Sequence, residues 1–156
     1  MFIEYSVKDK NNILTHNIWS AGEYLNSLSD ITVGNNANAV ISSDWAYNGN
    51  SSIKFTQTGS GGSRSMLISY SYSEVGNTLT ASINCLNTAN ISYLKFYQLK
   101  DGSVLGSQTV NIPASNDMQT VSATFTTVDT INTLRIVIET TDNVGQTIFV
   151  DNIKIQ

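Results

Sequence analysis

A few side chains have the types and spacing to hold a polar ligand. Tyr93, Lys95 and Tyr97 alternate with Leu94 and Phe96. In an extended chain the first three point one way and the two apolar residues the other. Arg135 and Glu139 are expected to point outward in the same manner from Leu134 to Glu139, and Trp45 and Tyr47 flank a loop. Flat aromatic faces stack on the apolar side of a sugar ring, and amides and carboxylates take its hydroxyls. The same residue types also cover a sheet rim or pack beneath an N-terminal segment, and both uses fit these positions. Tyr93 and Tyr97 would stand about 13 Å apart along a strand, a span for two or three sugar rings.

The C-terminal stretch, Thr147 to Gln156, alternates apolar and polar residues and reads as a strand with one buried face. Strict alternation puts Phe149, Ile153 and Ile155 on that face together with Asp151. A carboxylate on a core-facing edge is destabilising unless something compensates it. A hydrogen-bond cage, an arginine or a hard cation such as calcium would each do so.

Signs of catalysis are missing. The single histidine, His16, has no cysteine or serine motif beside it, and no Gly-x-Ser-x-Gly, phosphate loop or zinc spacing occurs. Two carboxylates can meet in space as glycosidases require, but nothing marks such a pair. The expectation is a binding protein and not an enzyme. Cys85, the sole cysteine, can form no intrachain disulfide and reads as a small buried hydrophobe.

The elements that must carry these residues are strands. Charged residues are only 13% of the 156, and Ser, Thr, Asn and Gly supply most of the polarity. That composition suits short strands and turns in one domain, of the sort found in extracellular or particle-surface proteins. The net charge is −4, and no Lys/Arg cluster exists that would suit a nucleic acid. No apolar run is long enough for membrane insertion. Strands are predicted at residues 2–8, from Ile13-Leu14, and at 25–30, 39–42, 52–56, 66–73, 78–84, 92–99, 104–112, 121–125, 134–139 and at the C-terminus; 16–24 reads either as a short helical turn or as core-capping aromatics. Turns fall at Asn48-Gly49-Asn50, Asp101-Gly102 and Asn143-Val144-Gly145, and Pro113 ends a strand because it cannot donate to a ladder. Leu79, Ala81, Ile83 and Cys85 should share a buried face, as should Leu134, Ile136 and Ile138. Short strands with turn signals every 8–12 residues or so define an all-β antiparallel sandwich.

Four segments carry a resemblance. Asn48 to Phe55 resembles the "small-Gly-x-x-Ser-Leu-Lys-Val" segment of jelly-roll carbohydrate-binding modules of the galactose-binding-like superfamily. Glu74 to Ile83 is similar to their "turn, then Tyr-x-Leu-Ser-Ala-x-Ile" strand. Met118 to Phe125 resembles their "Trp-x-x-x-Ser-x-x-Phe-Thr" strand, with Met118 where the family often has Trp. Phe149 to Ile153 resembles their closing "Tyr-Val-Asp-Asp-Val". Order and spacing match from about residue 25 onward, so residues 25–156 form the module-like sandwich and 1–24 an extension or extra strands packed on it.

The resemblance implies a jelly roll, and a non-catalytic module recognising a cell-surface or polysaccharide glycan. It also implies a structural calcium: Asp151 and Asp30 would supply carboxylates, and carbonyls around Asn50 to Ser52 further oxygens. A rival expectation is an adhesive or structural component of a phage or archaeal-virus particle (tail, fibre or capsid decoration), with other subunits as partners. Residues 1–5 lack the basic region and apolar core of a signal peptide. That suits either a domain cut from a larger secreted protein or a complete protein that needs no secretion, such as a virion component. The expected location is accordingly extracellular or cell-surface, or else the virion.

Overall fold

The chain was analysed as a computed structural model, which describes residues 6–8, 14–19, 31–62, 64–72, 76–88, 91–128, 130–141 and 143–155; for 6–8, 14–19, 70 and 71 it describes the backbone alone. Among the described residues every regular element is a strand: β1 (Ser6–Lys8), β2 (Leu14–Trp19), β3 (Ile31–Val33), β4 (Ala37–Ser42), β5 (Ser52–Gln57), β6 (Ser65–Ser71), β7 (Thr78–Asn87), β8 (Ser92–Lys100), β9 (Ser103–Ile112), β10 (Gln119–Thr126), β11 (Thr133–Thr140) and β12 (Thr147–Ile155). The expected strand at 25–30 and the part of the 16–24 stretch after Trp19 lie outside the described residues.

The strands form two antiparallel sheets. One has five strands in the order β3-β6-β11-β8-β9; the other has seven, running β1-β2-β12-β5-β4, with β7 also paired to β12 and β10 to β7. β1 and β2 fall within the stretch set apart as an extension, and β2 hydrogen-bonds to the second half of β12. Side chains from the two inner faces make the core. Ile53, Phe55, Leu79, Ala81, Ile83, Cys85 and Val150 of the larger sheet meet Leu94, Phe96, Leu134, Ile136 and Ile138 of the smaller, all essentially inaccessible. Phe96 and Phe125 join the layers directly, with ring centroids 4.2 Å apart. The faces expected for β7 and β11 are thus the faces found.

The turn between β8 and β9 is built by Asp101 at φ 49° and Gly102 at φ 83°. Two central residues with positive φ are what a two-residue hairpin matched to strand twist requires. β9 stops at Ile112, immediately before Pro113.

β12 departs from strict alternation. Ile148 and Val150 point into the core, whereas Phe149 is half-buried on the outer face. Opposite β7, Asp151 pairs with Asn84 but Lys154 with Ser82, so β12 holds one extra residue there. Asn152 takes φ 49° at this bulge. The insertion flips the parity, and Ile153 and Ile155 return to the core. The expectation that Phe149, Ile153 and Ile155 share a face with Asp151 is corrected: Asp151 lies on the side of Phe149, away from the core.

Candidate functional site

Alternation along β8 buries Leu94 and Phe96 completely and leaves Tyr93, Lys95 and Tyr97 half-buried on the outer face of the five-stranded sheet. Pairing with β11 sets Tyr93 opposite Glu139, Lys95 opposite Val137 and Tyr97 opposite Arg135. The five residues that the sequence offered from two separate strands therefore share one surface. Directly opposed residues have Cβ atoms about 5 Å apart, so each tyrosine has a charged residue at its side.

On the far side of β8, β9 sets Asn111 beside Tyr93, Thr109 beside Lys95 and Ser107 beside Tyr97. Beyond β11, β6 adds Ser65 opposite Glu139, Leu67 opposite Val137 and Ser69 opposite Arg135. These flanking rows were not singled out from the sequence. Alternation alone could have assigned their facing, but nothing local says which strands adjoin β8.

The charges on this face are unevenly compensated. The Lys95 ammonium lies 2.6 Å from Glu139 Oε2, with both side chains mostly shielded, and 5.9 Å from the Tyr93 ring centroid. Arg135 Nε donates to Ser69 Oγ at 2.9 Å. The hydroxyls of Tyr93 and Tyr97 make no hydrogen bond among the described residues.

Buried polar contacts brace each end of the face. Ser92, next to Tyr93, accepts a 2.7 Å hydrogen bond from Gln146 Nε2, and Thr140, next to Glu139, donates at 2.9 Å to Gln57 Oε1. At the other end Gln98, next to Tyr97, accepts from the Val128 N–H at 2.8 Å. These contacts tie β8 to neighbouring loops and β11 to the end of β5, and hold the outward row in register.

Trp45 and Tyr47 lie elsewhere, in the loop between β4 and β5. Trp45 is half-buried and tilted against Phe149, with centroids 6.3 Å apart on the outer side of the seven-stranded sheet, whereas Tyr47 is exposed. Nearby, Lys54 bonds Asp44 at 2.7 Å and sits 5.5 Å from the Phe149 centroid. The hydrogen bond from Lys54, helped by Ser42, holds the Asp44 carboxyl below the usual carboxylate range. The structure does not bring Trp45 and Tyr47 together with the tyrosines of β8.

Asp151 is wholly buried beneath that loop. Its Oδ2 accepts the backbone N–H groups of Tyr47 and Asn48, both at 3.0 Å, and its Oδ1 accepts that of Asn152 at 2.7 Å. Ser52 Oγ donates to the Trp45 carbonyl at 2.6 Å, and Asn50 is exposed in the turn. These donors do not by themselves fit calcium, which takes about 6–8 oxygens. The Asp151 lone pairs are largely committed to N–H groups, and the described residues contain no cluster of three His, Cys, Asp or Glu. Asp30 lies outside the described residues.

The fold is that of jelly-roll carbohydrate-binding modules. No family model matches the chain, and no curated protein matches it. Among solved structures it is similar to the enzymatically active domain of bacteriophage CBA120 tailspike protein 4, with a TM-score of 0.71 at 15% identity, over 83% of this chain and 19% of that one. It is similar to the N-terminal tandem of family 22 modules from Paenibacillus barcinonensis Xyn10C, with a TM-score of 0.64 at 12% identity, over 83% of this chain and 45% of that one. A family 61 module in complex with β-1,4-galactotriose matches with a TM-score of 0.55 at 13% identity, over 81% of this chain and 86% of that one. The chain thus spans less than half of the tailspike and tandem-module chains. No helix among the described residues is long and apolar enough to cross a membrane.

Proposed function

We propose that this chain is a non-catalytic carbohydrate-binding module at a cell surface or on a polysaccharide, and that it holds a glycan along β8 on the outer face of the five-stranded sheet. The observation that carries this reading is the row Tyr93, Lys95, Tyr97: two half-buried rings whose hydroxyls make no hydrogen bond among the described residues, flanked by Arg135 and Glu139 on one side and by Ser107, Thr109 and Asn111 on the other. The rings offer apolar faces for sugar stacking, and the flanking groups offer donors and acceptors for hydroxyls. The similarity to modules of this fold supports the class of ligand, but fold alone does not carry function.

Glycan-array screening followed by Tyr93→Ala and Tyr97→Ala tests it. A glycan that binds the folded chain should bind either variant at least tenfold more weakly. Unchanged binding by both folded variants would reject this face and turn attention to Trp45 and Tyr47.

A second reading has its own support in the similarity to a phage tailspike domain. In it the chain is a particle component, and the same face packs against another subunit, where tyrosine is commonly enriched. Failure of every glycan to bind, together with a defined oligomer that Tyr97→Ala dissociates, would establish that reading over the first.

A further inference from the structure

The cations of the proposed glycan face differ in what they have left to offer. Lys95 is committed, held against Glu139 at 2.6 Å and lying near the Tyr93 ring. Arg135 has no anionic partner among the described residues; its one hydrogen bond runs from Nε to a neutral serine, Ser69. The Nη groups at the end of the guanidinium carry no protein partner there. A half-buried arginine held at Nε by a neighbouring strand presents a fixed, planar pair of donors, a geometry that matches a carboxylate in bidentate fashion. Tyr97 stands directly opposite Arg135 across the β8–β11 pair, so a ring stacked on Tyr97 would bring its substituents to that fork.

The balance of charge agrees. Lys95 and Arg135 outweigh Glu139 on this face, although the whole chain carries −4. The two ends of the row therefore differ: at Tyr93 the charges are already paired, and at Tyr97 one positive charge is unspent.

We infer that the face selects an acidic glycan, with the carboxylate of a uronic-acid residue on Tyr97 received by the Nη groups of Arg135, while Tyr93 stacks a neutral ring. This rests on the proposed glycan-binding role of the face and names the class of sugar it takes.

The test uses the intact chain and matched oligosaccharide pairs that differ in charge: oligogalacturonate against its methyl ester, alginate oligosaccharide against its carboxyl-reduced form, and glucuronic-acid-substituted xylo-oligosaccharide against the unsubstituted one. Affinities are read by NMR shift titration at low and high salt. In at least one pair the acidic member should bind tenfold or more tightly, and salt should shrink that preference. Arg135→Gln should weaken the acidic member much more than the neutral one, so that the ratio of their affinities falls to about one, whereas Tyr97→Ala should weaken both members. Arg135→Lys, which keeps the charge without the fork, should retain only part of the preference, and it carries the test if the glutamine variant does not fold. Equal or tighter binding of the neutral member in every pair would overturn the inference and leave the glycan-binding role standing, as would an equal loss for both members in Arg135→Gln. No binding by any member of any pair, nor by any glycan on the array, would remove that role and the inference together.

Discussion

Oδ2 of Asp151 lies 3.0 Å from the backbone nitrogen of Asn48, 103 residues earlier in the chain. The closing strand thereby fixes the loop that carries Trp45 and Tyr47. Of the three ways a carboxylate in this strand can be compensated, a cage of backbone donors is the one formed by the described residues. Asp151→Ala would leave three partly buried N–H groups without their acceptor, each costing about 1–3 kcal/mol when left unpaired. Chemical denaturation should show a loss of about 3 kcal/mol or more, with Asp151→Asn intermediate because it keeps one acceptor oxygen.

The same cage bears on calcium. With the Asp151 oxygens committed to N–H donors, verified removal of calcium should leave the melting temperature unchanged. A ligand that prefers the native state raises that temperature. A calcium-dependent rise that Asp151→Ala abolishes would therefore assign a calcium site that includes Asp151.

Burial of Cys85 in the core pushes its thiol up to about 12. An unfolded cysteine ionises near 8.5, so the folded state alone keeps the proton between those values. Binding more protons than the unfolded state means that stability is full at neutral pH and falls as pH rises through this window, by about 1.4 kcal/mol per unit. Between pH 8 and 10.5 the natural chain should lose about 2 kcal/mol more than Cys85→Ala in urea titrations. Equal losses would show that the thiol is not responsible.

Gly102 at φ 83° occupies the left-handed region that side chains disfavour, although a Cβ there would meet nothing within 4 Å. Gly102→Ala should therefore destabilise by conformational strain alone, about 1 kcal/mol. Because the turn lies at the opposite end of β8 from Tyr93, sugar binding at Tyr93 should change little. A large loss of binding with stability unchanged would contradict this account.

The Lys95–Glu139 pair is partly shielded and spans neighbouring strands. Its removal in Lys95→Met should cost stability only about 0–1 kcal/mol, as is usual for ion pairs near a surface. If the face binds sugar as proposed, titration of a bound glycan should show a larger effect of Lys95→Met on affinity than thermal melts show on stability.

Much of this protein follows from local chemistry written in the chain. Backbone geometry alone sends Tyr93, Lys95 and Tyr97 one way and Leu94 and Phe96 the other, and it aligns Leu79, Ala81, Ile83 and Cys85. Asp101-Gly102 and Pro113 act within one or two residues of themselves, so their turn and strand end were legible too. Strand adjacency was not, because pairing is a long-range choice. Only the folded sandwich sets β11 between β6 and β8, bringing Arg135 to Tyr97 and Ser69 to Arg135. Nor did alternation reveal the bulge at Asp151 and Asn152. One inserted residue reverses every later side chain, yet leaves no periodic mark beyond an Asp-Asn pair tolerant of positive φ. The sequence by itself determined which residues can face together within a strand; the tertiary structure decided which strands meet, and on which side of the sheet the carboxylate of Asp151 comes to rest.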